Sequence, residues 1–393
     1  MAYSPSLASA ISYDASGRAR VAQLTTLGDL KTLGYDDVLL LANVGTGSAV
    51  WAANKTTLSV AANTVYIIRS SKQYFPYFSG KSEQIEMTQD GFQTEASVIK
   101  RAGYFSSVAT APYDTVYDGF YLEDDGTTKR LKAMRAGTET LNVPIASWNG
   151  DPYLQTYDWS KFTVLEFDFL WLGGANLRLF VKTDRGFLLA HQHSHAGSLS
   201  DVFTLSPNQT IRWEVRSTGG AGSMRAICAQ ISTEGSINES GKQRSVNTGA
   251  TGIALATIGT TYPILALRKN TAYRDKALKL FGVGAFVTSA NDQLLITLQH
   301  NPTLSAALTY TPVPNNSAEV ASGNGTITVT SPGTNLYSAF LAQNSILPAN
   351  VLAEDFLSFI GMTLANVSDQ LVLCGTPITA GITTFGALNF KEF

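Results

Sequence analysis

The chain has 393 residues, a formal net charge of −2 and only 15% charged residues, against ~25% in an ordinary soluble domain. Its length holds one or two sizeable cores, and the near-neutral balance gives nucleic acid no electrostatic invitation. No apolar run reaches the ~18 residues of a membrane-spanning helix, so membrane insertion is not expected.

A surface rich in Gly, Ser, Thr and Asn but poor in ions suits a protein covered by neighbours, or a lectin-like β-protein, better than a metabolic enzyme. Cys228 and Cys374 sit far apart in apolar, strand-like runs and are expected as buried thiols rather than a disulfide. The start, Met-Ala-Tyr-Ser-Pro-Ser, has neither a basic nor an apolar leader region, so synthesis and first residence in a cytoplasm are expected.

Taken in order, residues 1–62 read as an N-terminal arm and connector, with a short helix over Leu24–Leu33 and strands over Asp36–Ala42 and Leu58–Ile68. Residues 63–235 read as a β-sandwich domain. Its first segment, Gln73–Ser82, is aromatic and broken by Pro76. A strand over Val98–Phe105 follows, then a hairpin whose Asp125-Gly126 turn, taken as a two-residue loop, sets Phe120 opposite Leu131 and Tyr121 opposite Arg130.

The clearest alternation runs from Phe162 to Trp171, with Leu165, Phe167, Phe169 and Trp171 on one face and Glu166 and Asp168 on the other. The return run carries Leu177, Leu179 and Val181 against Arg178 and Lys182. An odd loop keeps like faces together, and a three-residue loop, Gly174 to Asn176, puts Asp168 opposite Lys182. Phe187, Leu189 and His191, and then Ile211, Trp213 and Val215 alternating with Arg212, Glu214 and Arg216, repeat the pattern of one apolar and one charged face. Residues 236–252 read as a linker. Residues 253–393 read as a second β-rich domain with one helix over Ala349–Met362. No 20–50-residue repeat argues for a solenoid, so the fold class is mainly β, with antiparallel sandwich or jelly-roll-like domains and few short helices.

Four groups of side chains could carry function. His191, His193 and His195 stand two apart, so on a strand they share a side and could share a metal. No neighbouring Cys or second carboxylate set completes a site, and the simpler reading is a polar strand end, with no metal and no cofactor. Glu166 and Asp168 have the spacing of a glycosidase carboxylate pair, yet Arg178 and Lys182 on the next strand account for them as a charge ladder. Gly80-Lys81-Ser82 resembles the end of a phosphate loop, but Phe75 stands where that loop needs Gly. Trp148, Tyr153, Tyr157 and Trp159 are core or interface by default, and a glycan- or partner-binding platform as the functional reading.

Several stretches carry a resemblance: Ser16-Gly-Arg-Ala-Arg-Val-Ala-Gln23, Phe75-Pro-Tyr-Phe-Ser-Gly-Lys-Ser82, Ser147-Trp-Asn149, Asp158-Trp-Ser-Lys161 running on to Phe169-Leu-Trp-Leu-Gly-Gly174, Pro263-Ile-Leu-Ala-Leu-Arg268, Gln299-His-Asn-Pro302, and the terminal Phe385 to Phe393. In these the chain resembles a family of structural proteins of tailed bacteriophages and other large viruses. The resemblance implies a non-enzymatic virion component of the tail, baseplate, fibre or head decoration, made in the host cytoplasm and located in the virion. Homotrimeric assembly is the state preferred for so sparsely charged a β-surface. The N-terminal arm would hook another virion protein. The alternative is a carbohydrate-binding module recognising a host surface glycan.

Overall fold

The computed structural model describes residues 13–15, 17–20, 22–31, 41–171, 176–198, 200–236, 241–288, 293–342, 346–347, 360–379 and 381–393. Two compact units divide it, residues 1–71 with 75–238, and 72–74 with 239–393. No α-helix occurs among the described residues, whose regular structure is antiparallel strand with three short 3-10 turns.

In the first unit the strands are β1 (Leu24–Leu30), β2 (Leu41–Gly45), β3 (Ser48–Ala52), β4 (Lys55–Val60), β5 (Tyr66–Ser71), β6 (Glu83–Asp90), β7 (Val98–Ser107) and β8 (Val116–Asp124). They continue with β9 (Lys129–Arg135), β10 (Thr138–Pro144), β11 (Thr163–Leu170), β12 (Asn176–Thr183), β13 (Gly186–Ser194), β14 (Ile211–Ser217) and β15 (Gly222–Glu234). One sheet has eight strands in the order β13-β12-β11-β6-β15-β4-β3, with β1 also paired to β15. The other has seven, β10-β9-β8-β7-β14-β5-β2.

The apolar faces of the two sheets pack together, as alternation requires. Phe120 of β8 lies 5.5 Å from Phe167 and 4.9 Å from Phe169 of β11, ring centre to ring centre. Trp213 of β14 donates its indole N–H across the core to Gln89 of β6 at 3.2 Å. The partners of β14 come from far along the chain, β5 before it and β7 between, so no local signal could have named them.

Several expectations need correction. The stretch read as an arm supplies β1 to β4, and Leu24–Leu30 is a strand rather than a helix. Its residues Leu27 and Leu30 are buried and it zips along β15, a tertiary partner that overrides local propensity. Leu58–Ile68 is two strands, β4 and β5, rather than one. The Asp125 loop has four residues, because the Asp125 carboxylate takes the amides of Thr127 (2.9 Å) and Thr128 (2.8 Å) and widens the turn. Phe120 therefore faces Ala133, and Leu122 faces Leu131, a slip of two that leaves every side chain on its expected face. Between β11 and β12 the parity is as expected, with Leu165 opposite Val181 and Phe167 opposite Leu179. Asp168, however, faces Arg178, and Lys182 faces Val164. The predicted Gly174–Asn176 loop lies largely outside the described residues.

A bulge at Ala190 divides β13. Leu188 pairs with Val181 on the core side and Phe187 with Lys182 outside, yet beyond the bulge His191 pairs with Leu179 and His193 with Leu177. The extra residue reverses the faces, which turns both histidines toward the core side. The charged side of β14 is not a solvent face either, since Arg212 and Glu214 are fully buried.

In the second unit, a five-stranded sheet centred on Leu278–Val287 and Ile382–Glu392 and a six-stranded sheet centred on Tyr262–Lys269 and Gln370–Pro377 share one apolar core. Ile264 and Leu373 come from the larger sheet, Leu280, Val283, Leu388 and Phe390 from the smaller. The stretch read as a linker contains a strand, Lys242–Asn247, paired with Ile382–Glu392. Most of the predicted helix over Ala349–Met362 lies outside the described residues.

Candidate functional site

The four candidate aromatics do gather, between β10 and β11. A 3-10 turn over Ile145–Ser147 leads to Trp148, whose indole N–H donates to the Val143 carbonyl at 3.2 Å. Asp151 then caps a second turn, Pro152–Gln155: its carboxylate accepts the Tyr153 amide at 2.9 Å, and Pro152 opens the turn with its φ already set. Asp158 accepts the amide and hydroxyl of Ser160 at 3.0 and 2.6 Å and aims the chain into β11. The rings form a chain of contacts: Trp148 to Trp159 at 6.3 Å, Trp159 to Tyr157 at 5.2 Å and Tyr157 to Tyr153 at 6.3 Å, all edge-on. Trp159 is buried and anchors the group, while Trp148, Tyr153 and Tyr157 remain half-buried.

This shelf is tied to the sheet edge through β13. The Gly150 amide donates to the Ala190 carbonyl at 3.1 Å and the Asp151 amide to the Leu189 carbonyl at 2.7 Å. Asn149 exchanges two bonds with Gln192, each 2.9 Å. A Cβ at Gly150 would lie 2.0 Å from the Leu189 carbonyl oxygen, so this approach requires glycine. Hydrogen-bonding groups border the rings. Arg185 lies 3.9 Å over Tyr153, and the Tyr153 hydroxyl donates to Asp184 at 3.3 Å. Lys129 lies 5.4 Å from the Trp159 ring, and Asn149 and Asp158 are exposed. The sequence brought out the four aromatics but not Asn149, Asp184 or Arg185, because the hairpin that carries Asp184 and Arg185 meets the shelf only in three dimensions.

The other candidates fall elsewhere. His191 accepts the Asn149 amide at its Nδ1, 3.3 Å away. His193 and His195 contact each other and Phe203. Burial lowers all three imidazoles, His195 to about 4. Among the described residues no group of three His, Cys, Asp or Glu is placed to hold a metal ion.

Glu166 and Asp168 lie on the outer face of the eight-stranded sheet, and Asp168 is engaged by Arg178, by Arg20 at 3.1 Å and by the Ser82 hydroxyl at 2.5 Å. That occupancy makes it a structural ion rather than a free nucleophile. Glu166, whose cross-strand neighbours are Glu86 and Phe180 rather than a cation, is pushed up to about 7 by burial and by the charges of Asp168 and Glu86.

The sequence marked Arg212, Glu214 and Arg216 as a charged face, but not that they form a buried cluster with Arg101 and Glu123 on the outer face of the seven-stranded sheet. Glu214 is bonded by Arg212 (2.6 Å), Arg101 (2.8 Å) and Arg216, and Arg101 also holds Glu123 at 2.6 Å. The arginines also donate to the carbonyls of Pro112, Tyr113 and Asp114, which strap the face.

No family model matches this chain, and no curated protein matches it. Among solved structures, about half of the chain superposes on nearly the whole of several smaller proteins. A Bacillus licheniformis β-glucanase matches at 11% identity and TM-score 0.36, over 53% of this chain and 99% of that one. A legume lectin-like domain from Entamoeba histolytica matches at 9% and 0.35, over 53% and 98%. Lectin I-B4 of Griffonia simplicifolia matches at 10% and 0.33, over 54% and 100%. By its own sheets and cores, the chain is a mainly antiparallel β protein built of β-sandwich units.

Proposed function

We propose that the first unit is a carbohydrate-binding module, with Trp148, Tyr153 and Tyr157 as the stacking surface, anchored on the buried Trp159, and Asn149, Asp158, Asp184 and Arg185 as hydrogen-bonding partners. The observation that carries this reading is a continuous run of three half-buried rings and one buried ring, Tyr153 to Tyr157 to Trp159 to Trp148, bordered by amide, carboxylate and guanidinium groups, on a loop tied to a sheet edge. Apolar ring faces with a few placed polar groups are what a saccharide presents in mirror image. The reading is binding without turnover, since Asp168 is occupied by two arginines.

Glycan-array screening of the purified chain, followed by calorimetry with the strongest ligand, tests it. Trp148→Ala and Tyr157→Ala should each weaken binding about tenfold, equivalent to ~1.4 kcal/mol. An array without a hit, or affinities indifferent to both substitutions, would refute it.

A second reading, the virion structural role, rests on the resemblance and on Phe340, 74% exposed on the edge strand Thr334–Leu341 of the second unit. An exposed Phe on a sheet edge suits burial against another copy in a homotrimer. Sedimentation of the wild-type chain as a trimer, shifted toward monomer by Phe340→Asp, and detection of the protein in purified particles support it; a chain that stays monomeric at high concentration counts against it.

A further inference from the structure

We propose that His193 and His195 form a two-imidazole site for a first-row divalent cation, with Cu2+ preferred to Zn2+. The bulge at Ala190 turns His193 to the core side of β13, and His195 follows two residues later at the strand's end, so both rings enter one space beside Phe203. Their centres are 4.7 Å apart with planes at 76°. His195 is 1% exposed, and neither of its ring nitrogens, nor Nε2 of His193, has a hydrogen-bond partner among the described residues. Buried nitrogens left without partners are costly and rare. Phe203 offers them nothing, while a cation would satisfy one nitrogen of each ring.

Geometry selects the class of ion. Were one nitrogen of each ring to bind a shared metal at about 2.0 Å, with each ring centre roughly 1.2 Å behind its nitrogen, centres 4.7 Å apart would subtend an angle of about 95° at the metal. That is the cis angle of square-planar or octahedral coordination rather than the tetrahedral angle of structural zinc, and it matches the tetragonal preference of Cu2+, which also heads the affinity order. His191 stays outside the set because its Nδ1 accepts the Asn149 amide.

The test uses the full chain without a polyhistidine tag. Calorimetric titration with CuCl2 and with ZnCl2 should give one site per chain, tighter for copper, and the electron paramagnetic resonance spectrum of the copper form should show an axial signal with two equivalent imidazole nitrogens. His193→Ala and His195→Ala should each abolish stoichiometric binding, while His300→Ala, which changes the one histidine of the second unit, should leave it intact. The wild-type spectrum needs no variant to fold, so it decides the matter alone. Absence of a stoichiometric site, a spectrum with fewer than two imidazoles, or binding that persists in folded His195→Ala protein would overturn the assignment and leave two imidazoles merely packed on Phe203.

Discussion

Replacing Glu214 should be among the most damaging single changes to the first unit. The carboxylate is fully buried, as is Arg212, and the side chains of Arg101 and Arg216 are 12% and 8% exposed. Burial pulls the Arg212 guanidinium down to about 10, whereas the three arginines together hold Glu214 down at about 2 against an ordinary 4.5. Arg212 therefore loses by leaving water, and the compensation resides on the shared carboxylate. The gap from 4.5 to about 2 corresponds to roughly 3 kcal/mol. Removing one partner from a buried ion pair costs about 3–5 kcal/mol by a separate route, the orphaned charge left behind, and the two figures agree. Glu214→Ala should thus destabilise the first unit by about 3–5 kcal/mol. Glu214→Gln, which keeps the shape, should lose nearly as much, separating charge from packing. The five tryptophans, Trp51, Trp148, Trp159, Trp171 and Trp213, all lie in the first unit, so urea unfolding followed by their fluorescence reports that unit alone. The pH dependence fixes the sign: the wild-type advantage is fully present above pH 4.5 and disappears as pH falls toward 2, because the folded carboxylate releases its proton more readily than the unfolded one. A loss below about 1 kcal/mol near pH 6, or one unchanged at pH 2, would refute this account of the cluster.

Two further outcomes follow from buried groups. Glu166 titrates near 7 rather than 4.5, so the folded form holds the proton more tightly and the protein loses stability as pH rises through that interval. Glu166→Gln should therefore be near-neutral at pH 4 and stabilising by about 1–2 kcal/mol at pH 8, after allowance for its partial exposure; denaturant melts showing no gain at pH 8 would contradict it. Cys374 is fully buried in the second unit and its thiol is pushed far up by burial, whereas Cys228 is half-buried. A thiol reagent should label Cys228 in the folded chain and Cys374 only on unfolding, and mass spectrometry showing equal labelling of both would be the contrary result.

Much of the fold was legible because strands announce themselves by a period of two, an intrinsic property of the extended backbone. That Phe167 and Leu179 share a face, that a hairpin turns at Asp125, and that the class is mainly antiparallel all follow from that period and from turn residues. Register was legible only in parity. Loop length is set by side-chain bonds such as those of Asp125 to Thr127 and Thr128, so the hairpin slipped by two residues without moving any side chain to the wrong face.

The candidate site divides the same way. Residue types alone marked Trp148, Tyr153, Tyr157 and Trp159 and the three histidines, since few positions in the chain combine such rings at such spacing. Three things belonged to the tertiary structure: the bulge at Ala190 that turns His193 to the core side, the β12–β13 turn that brings Asp184 and Arg185 to the rings, and the strap of Pro112 to Asp114 that buries Arg212 and Glu214. The physical reason is common to all three. Alternation specifies that a strand has two faces, but what lies against each face is supplied by segments distant in sequence, and a charged row reads the same whether water or another part of the chain covers it.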